Sequence, residues 1–296
     1  MKRLTLLLAV FYLLNACKGS ISVKQDLSNG ISTSGLNLTC ENVEVYQGEA
    51  VSESNKYHYG TPLSMKFIDI MGFESINGRV FPGMKMTVAN SEGKTVFSVE
   101  DLYADEKNGF EESASLDLTA DLVLASPIFS GEKYVLTVMV WDKKSNGKFT
   151  AKYPFSVGSN EQIAIESNSG QLAMDEVYLF SESSKQTITD NVLSAGDKVS
   201  VIIDGMLPNF TESDGVISFG MSLLITDAEG NTLEENLDLF SDYDETGISA
   251  AEIGEKLSVS FNVPDASASP IHVVIEIWDK FVPEESVTIN FDAEIE

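Results

Sequence analysis

The chain has 296 residues, of which 43% are hydrophobic, and its 46 acidic residues against 19 basic ones give a formal net charge of −27. Such a charge repels phosphate backbones and anionic headgroups, which excludes a nucleic-acid-binding protein. The hydrophobic share argues against wholesale disorder.

Lys2 and Arg3 open the chain and an apolar run follows from Leu4 to Leu14. The run is too short to span a bilayer, which needs about 20 helical residues, so residues 1–16 read as a signal peptide. Its end, Leu14-Asn15-Ala16-Cys17, resembles the bacterial lipobox. The resemblance implies cleavage before Cys17, a lipid on that cysteine, and a place in the bacterial cell envelope, with the outer membrane as the expected site. Losing residues 1–16 removes two positive charges and leaves the mature chain at −29. With Cys17 lipidated, Cys40 has no disulfide partner in the chain, and a buried structural thiol is expected there. Residues 17–38 are rich in Ser, Gly and Asn and predict a flexible, lipidated tether.

From residue 39 to 158 the sequence shows seven short apolar runs bounded by turn signals. Strands are predicted near 40–48, 62–70, 84–90, 94–99, 114–124, 133–141 and 148–157. Asn90-Ser-Glu-Gly93 and Lys143-Lys-Ser-Asn-Gly147 suit hairpin turns. Residues 159–170 read as a linker. Residues 171–296 repeat the plan, with strands near 173–182, 197–204, 219–227, 231–236, 255–263, 270–278 and 286–295. One short helix is expected over 248–253.

The plan is an internal repeat. Gly83, Gly93 and Trp141 recur 137 residues later as Gly220, Gly230 and Trp278, and Asp101-Leu-Tyr103 recurs at that offset as Asp238-Leu-Phe240. Glu44-Val-Tyr46 recurs as Glu176-Val-Tyr178 at an offset of 132. Each copy is long enough to bury its own core. The fold class predicted is therefore all-β, with two tandem seven-stranded sandwiches that resemble immunoglobulin-like domains. That resemblance is architectural, since no cysteine pair is present and the Trp falls in the sixth strand of each copy.

Two strands dominate the pattern, one ending in Trp141-Asp142-Lys143 and the other in Trp278-Asp279-Lys280. With a period of two, Tyr134, Leu136, Val138 and Val140 face the core, as do Ile271, Val273, Ile275 and Ile277. The opposite phase is mixed and holds both tryptophans, which suits a half-exposed face. Trp141 and Trp278 are thus candidate partner or ligand contacts, against the simpler role of covering a sheet edge.

A second recurring polar stretch sets Asp101 and Asp105 ahead of Gly109, and Asp238, Asp242 and Asp244 ahead of Gly247. Aspartates on a turning loop offer the hard oxygens that calcium takes, although the spacing is not that of an EF-hand. Acidic turns without metal explain the same residues. No Walker loop, H-E-x-x-H, C-x-x-C or G-x-S-x-G is present. The expected function is a non-catalytic, lipid-anchored envelope protein that binds a protein or glycan partner, with a structural spacer or adhesin-like subunit as the alternative. A glycoside hydrolase built on two carboxylates is the remaining enzyme reading.

Overall fold

The computed structural model describes residues 21–25, 30–113, 115–168, 172–206, 209–244, 246–249 and 256–296. The lipobox residues lie outside the described residues, as do Glu245 and most of the stretch expected to be helical; Ile248–Ser249 is a short strand. The described residues form an all-β structure of several antiparallel sheets with two separate apolar cores, consistent with two β-sandwich bodies.

In the first body a long sheet runs in the order Ile21–Gln25, Ser32–Leu36, Lys148–Gly158, Lys133–Asp142, Pro82–Asn90, Thr95–Val99. A second sheet orders Leu116–Val123, Pro62–Ile70, Asn42–Gln47 and Ala50–Val51. The second body follows the same order. Its long sheet runs Ala164–Ser167, Ser286–Ile295, Ile271–Asp279, Phe219–Thr226, Thr232–Asn236. Its other sheet runs Gln186–Ile188, Glu176–Ser181, Lys198–Asp204, Lys256–Asn262.

The period-two reading of the long strands holds. Tyr134, Leu136, Val138 and Val140 are buried in the first core, and Ile271, Val273, Ile275 and Ile277 in the second. Two expectations need correction. Ser32–Leu36 is a strand on Lys148–Gly158, and Ile31 and Leu38 beside it are core residues, so the stretch expected to be a tether contributes to the first body. Ala164–Ser167 pairs with Ser286–Ile295, and Ile163 enters the second core, so the expected linker builds the second body in the same way. Their Ser-, Asn- and Gly-rich composition hid them, because the apolar anchors lie beside these strands and the strands themselves carry almost no alternation. Both bodies also gain a short parallel strand against their last strand, at Lys56–His58 and Val192–Leu193.

The two bodies meet through one face of the strand Glu176–Ser181. Val177 and Leu179 point into the second core, while Tyr178 belongs to the first, with Phe180 packed against it. The Tyr178 ring lies edge-on to Tyr59, with centroids 5.6 Å apart. It also fills the space over Gly60, where a Cβ would come within 2.4 Å of the ring. Around this contact the Tyr59 hydroxyl donates to buried Asp204 at 2.5 Å and accepts from the Ser126 N–H at 2.7 Å. Lys256 reaches Asp204 at 3.0 Å, and the Ser130 N–H donates to buried Glu176 at 2.7 Å. Burial and then the Asp204 carboxylate push the Tyr59 hydroxyl far above the usual tyrosine range. The joint is thus a buried aromatic contact flanked by the hydrogen-bonded groups of Tyr59, Asp204 and Glu176, and by the Thr61 and Thr187 hydroxyls, which are buried without a hydrogen-bond partner among the described residues.

Candidate functional site

The Trp-Asp-Lys ends of the two central strands resolve into three structural roles. Trp141 pairs across the sheet with Gly83, and Trp278 with Gly220. Each indole lies over the glycine opposite it. A Cβ on Gly83 would meet the Trp141 ring at 2.3 Å, and one on Gly220 would meet Trp278 at 2.1 Å. The glycine and the tryptophan that recur at one offset are therefore two halves of one contact, in which an aromatic covers backbone that a glycine leaves bare. Both rings remain partly exposed on the outer face of their sheets.

The aspartates that follow are buried, Asp142 at 2% and Asp279 at 0% exposure, and each carboxylate collects donors from two chain segments. Asp142 accepts from the Glu74 N–H at 2.6 Å, the Lys144 N–H at 2.9 Å and the Ser145 hydroxyl at 2.7 Å. Asp279 accepts from the Thr211 N–H at 2.7 Å, and from Phe281 and Val282 at 2.8 and 3.3 Å. Each thus closes its own hairpin and ties it to a loop before the glycine strand.

The lysines end the triplet in the acidic loops. Lys143 reaches Asp101 at 2.8 Å and donates to the Tyr103 carbonyl at 2.8 Å. Lys280 reaches Asp238 at 2.7 Å and also bonds Asp244. Asp101 further accepts from the Met84 and Tyr103 N–H groups, and Asp238 from those of Met221 and Phe240. Burial would raise both carboxyls, but the lysine and the backbone donors outweigh it and hold them below the usual aspartate range. Asp105 and Asp242 stand apart, exposed to solvent. The structure thus brings Asp238 and Asp244 together on an ammonium group, and sets Asp101 on another. Among the described residues no three His, Cys, Asp or Glu side chains form a group able to hold a metal. Tyr103, Leu102 and Phe240 pack the loops against the cores, whereas Leu239 is 40% exposed. The lysine partner was legible in the sequence: Lys143 follows Asp101 by 42 residues, as Lys280 follows Asp238.

Cys40 is buried, with Sγ 3.0 Å from the Asn42 carbonyl and 3.2 Å from that of Ile68, a structural placement.

What the repeat reading missed is a difference in charge. Residues 31–158 hold 11 basic and 17 acidic residues, net −6, whereas residues 159–296 hold 4 and 28, net −24. The outer faces of the long sheets show it most sharply. In the first body Lys133, Lys148, Lys152 and Lys85 project from the three central strands, and no outward position of those strands carries a carboxylate. In the second body the same strands project Glu276, Asp292 and Glu294 and no lysine. Lys148 aligns with Ser286, Lys152 with Asn290, and Met139 with Glu276, when the two Trp-ended strands are superposed in register.

No family model matches the chain, and no curated protein matches it either. Among solved structures it is similar to one called pT26-6p, at 9% identity and a TM-score of 0.28, covering 94% of this chain and 65% of that one. A calcium-binding mutant of Bacteroides uniformis beta-glucuronidase 2 gives 8% identity and 0.24, with 86% and 32% covered. An FMN-binding beta-glucuronidase from Facaelibacterium prausnitzii L2-6 gives 10% and 0.21, with 94% and 40% covered. The chain spans less than two thirds of each of these proteins. TM-scores this low say nothing about what the chain does.

Proposed function

We propose that the protein is a lipid-anchored component of the bacterial cell envelope, held on the outer membrane through Cys17, whose two bodies form a non-catalytic binding module for a protein or glycan partner. Each body is read as an immunoglobulin-like sandwich on the strength of its strand order, with the first beginning near residue 21 and the second near residue 160. The observation that carries the binding reading is the fate of the recurring polar residues. Asp101, Asp142, Asp238 and Asp279 are all engaged by backbone N–H groups, and Asp101 and Asp238 by lysines as well. The repeat therefore serves the fold, and function falls to the exposed faces that the fold presents. The lipobox-like Leu14-Asn15-Ala16-Cys17 supports the anchor.

Two measurements test the reading. Cys17→Ser should move the protein from the detergent phase to the soluble fraction, and unchanged partitioning would refute anchoring. The intact protein should retain a partner from envelope extract without hydrolysing a glycan panel; turnover of any glycan would replace the binding reading with an enzymatic one.

A further inference from the structure

We infer that the outer face of the long sheet in the first body binds a linear, carboxylated polysaccharide. This deepens the binding-module reading and rests on it. Lys133 and Trp141 lie on one strand, eight residues and so about 27 Å apart. Across from that strand stand Lys152, opposite Thr137, and Lys148, opposite Trp141, with Lys85 opposite Met139 on the other side. Lys56 extends the group at the end of the sheet, beside Ser156. The result is a track of cations along a single extended face.

Three observations point from this track to a ligand. First, Lys56, Lys133, Lys148 and Lys152 are exposed and make no ion pair among the described residues; Lys85 alone is paired, to Glu100 at 2.6 Å. No outward position of the three central strands carries a carboxylate, and Glu100, at the end of the neighbouring strand, forms an ion pair only with Lys85. Second, the equivalent face of the other body carries carboxylates and no lysine, so the sheet geometry does not itself require the cations. Third, the remaining outward positions mix hydroxyl side chains such as Ser34, Thr87, Thr137 and Thr150 with Leu36, Val135 and Met139. Hydroxyls interleaved with spaced ammonium groups suit a hydrated polyanion, and the apolar positions offer surface on which sugar rings can lie. Trp141 adds a partly exposed ring at the end of the track, on which a sugar can stack.

The acidic second body does not cancel this field, because at physiological ionic strength charges beyond about 8 Å are largely screened. Affinity on this face should therefore fall as salt rises, and it should depend on these lysines and not on net charge.

The test is calorimetric titration of the full chain with polygalacturonate, against neutral dextran and poly-L-glutamate. We expect saturable binding to polygalacturonate alone, weakened by salt. Lys148→Glu with Lys152→Glu should reduce the affinity at least about tenfold, and Lys107→Glu, on an exposed loop of the same body, should leave it unchanged. Absence of binding at low salt, equal loss in the Lys107 variant, or tighter binding to poly-L-glutamate would each overturn the inference. So would a concentration-dependent dimer that the double variant abolishes, which would assign the face to a second copy. Capture from envelope extract of a neutral glycan or a protein, unaffected by the double variant, would sink this inference and leave the binding-module reading standing. Capture of nothing would sink that reading itself.

Discussion

Glu-Val-Tyr occurs twice, and its two copies live in opposite surroundings. At 44–46 it lies on the outer face of its sheet: Glu44 accepts from the Tyr46 hydroxyl at 2.7 Å, and the Lys66 ammonium sits 3.8 Å from the Tyr46 ring centre. At 176–178 the same residues are buried between the bodies, with Tyr178 against Tyr59 and Gly60 and Glu176 on the Ser130 N–H. One local sequence thus makes an open surface in one body and a joint in the other. What differs is the neighbour, not the strand. The register shows how the environment was changed: Glu44 pairs with Lys66, whereas Glu176 pairs with Asp204, so the second copy presents an acceptor where the first presents a cation. The long sheets teach the same lesson with the charge reversed, since the first body carries Lys148 and Lys152 where the second carries Ser286 and Asn290.

The comparison breaks most visibly at the two tyrosines. Tyr178→Ala should destabilise the protein by about 3 kcal/mol, the cost of emptying a buried aromatic site, and should split one unfolding transition into two as the bodies uncouple. Tyr46→Ala should leave the denaturation midpoint nearly unchanged. Denaturant unfolding of both variants checks this, and equal effects would mean that Tyr178 does not couple the bodies.

A smaller effect sharpens the likeness between the two acidic loops. Asp101 and Asp238 have carboxyls held below their ordinary range. Their contribution is therefore fully present above the unfolded carboxylate pKa of about 4 and is lost as pH falls through the depressed folded values. Asp101→Asn should cost about 1–2 kcal/mol at neutral pH and much less at pH values below both pKa values. A cost that did not shrink in acid would detach Asp101 from its ion pair.

Much of this was legible beforehand, and the gaps have physical causes. The seven runs of each copy come through as strands, and the inward phase of the two Trp-ended strands comes through because a strand covered on one face alternates. The strands Ser32–Leu36 and Ala164–Ser167 do not, because they carry few apolar residues of their own and are anchored by Ile31, Leu38 and Ile163 beside them. The acidic loops left a calcium reading open beside plain acidic turns, because an ion pair to a lysine 42 residues away shows in the sequence only as one more recurring offset. Trp141 and Trp278 were placed on the correct phase, while the glycine beneath each was visible only as a second landmark at the same offset. The cationic face escaped because its lysines alternate with hydroxyls on separate strands and assemble only across the sheet.

The central claim is that the recurring glycine and tryptophan are one packing unit serving the fold in both bodies. A double-mutant cycle tests it most directly, with Gly83→Ala and Trp141→Leu made singly and together, and the same done at Gly220 and Trp278. Each Gly→Ala change alone should cost about 2 kcal/mol, since the added Cβ would lie within 2.3 Å of Trp141 or 2.1 Å of Trp278. The cost should shrink by at least about 1 kcal/mol when the indole is removed. Strictly additive effects at both sites would contradict the claim.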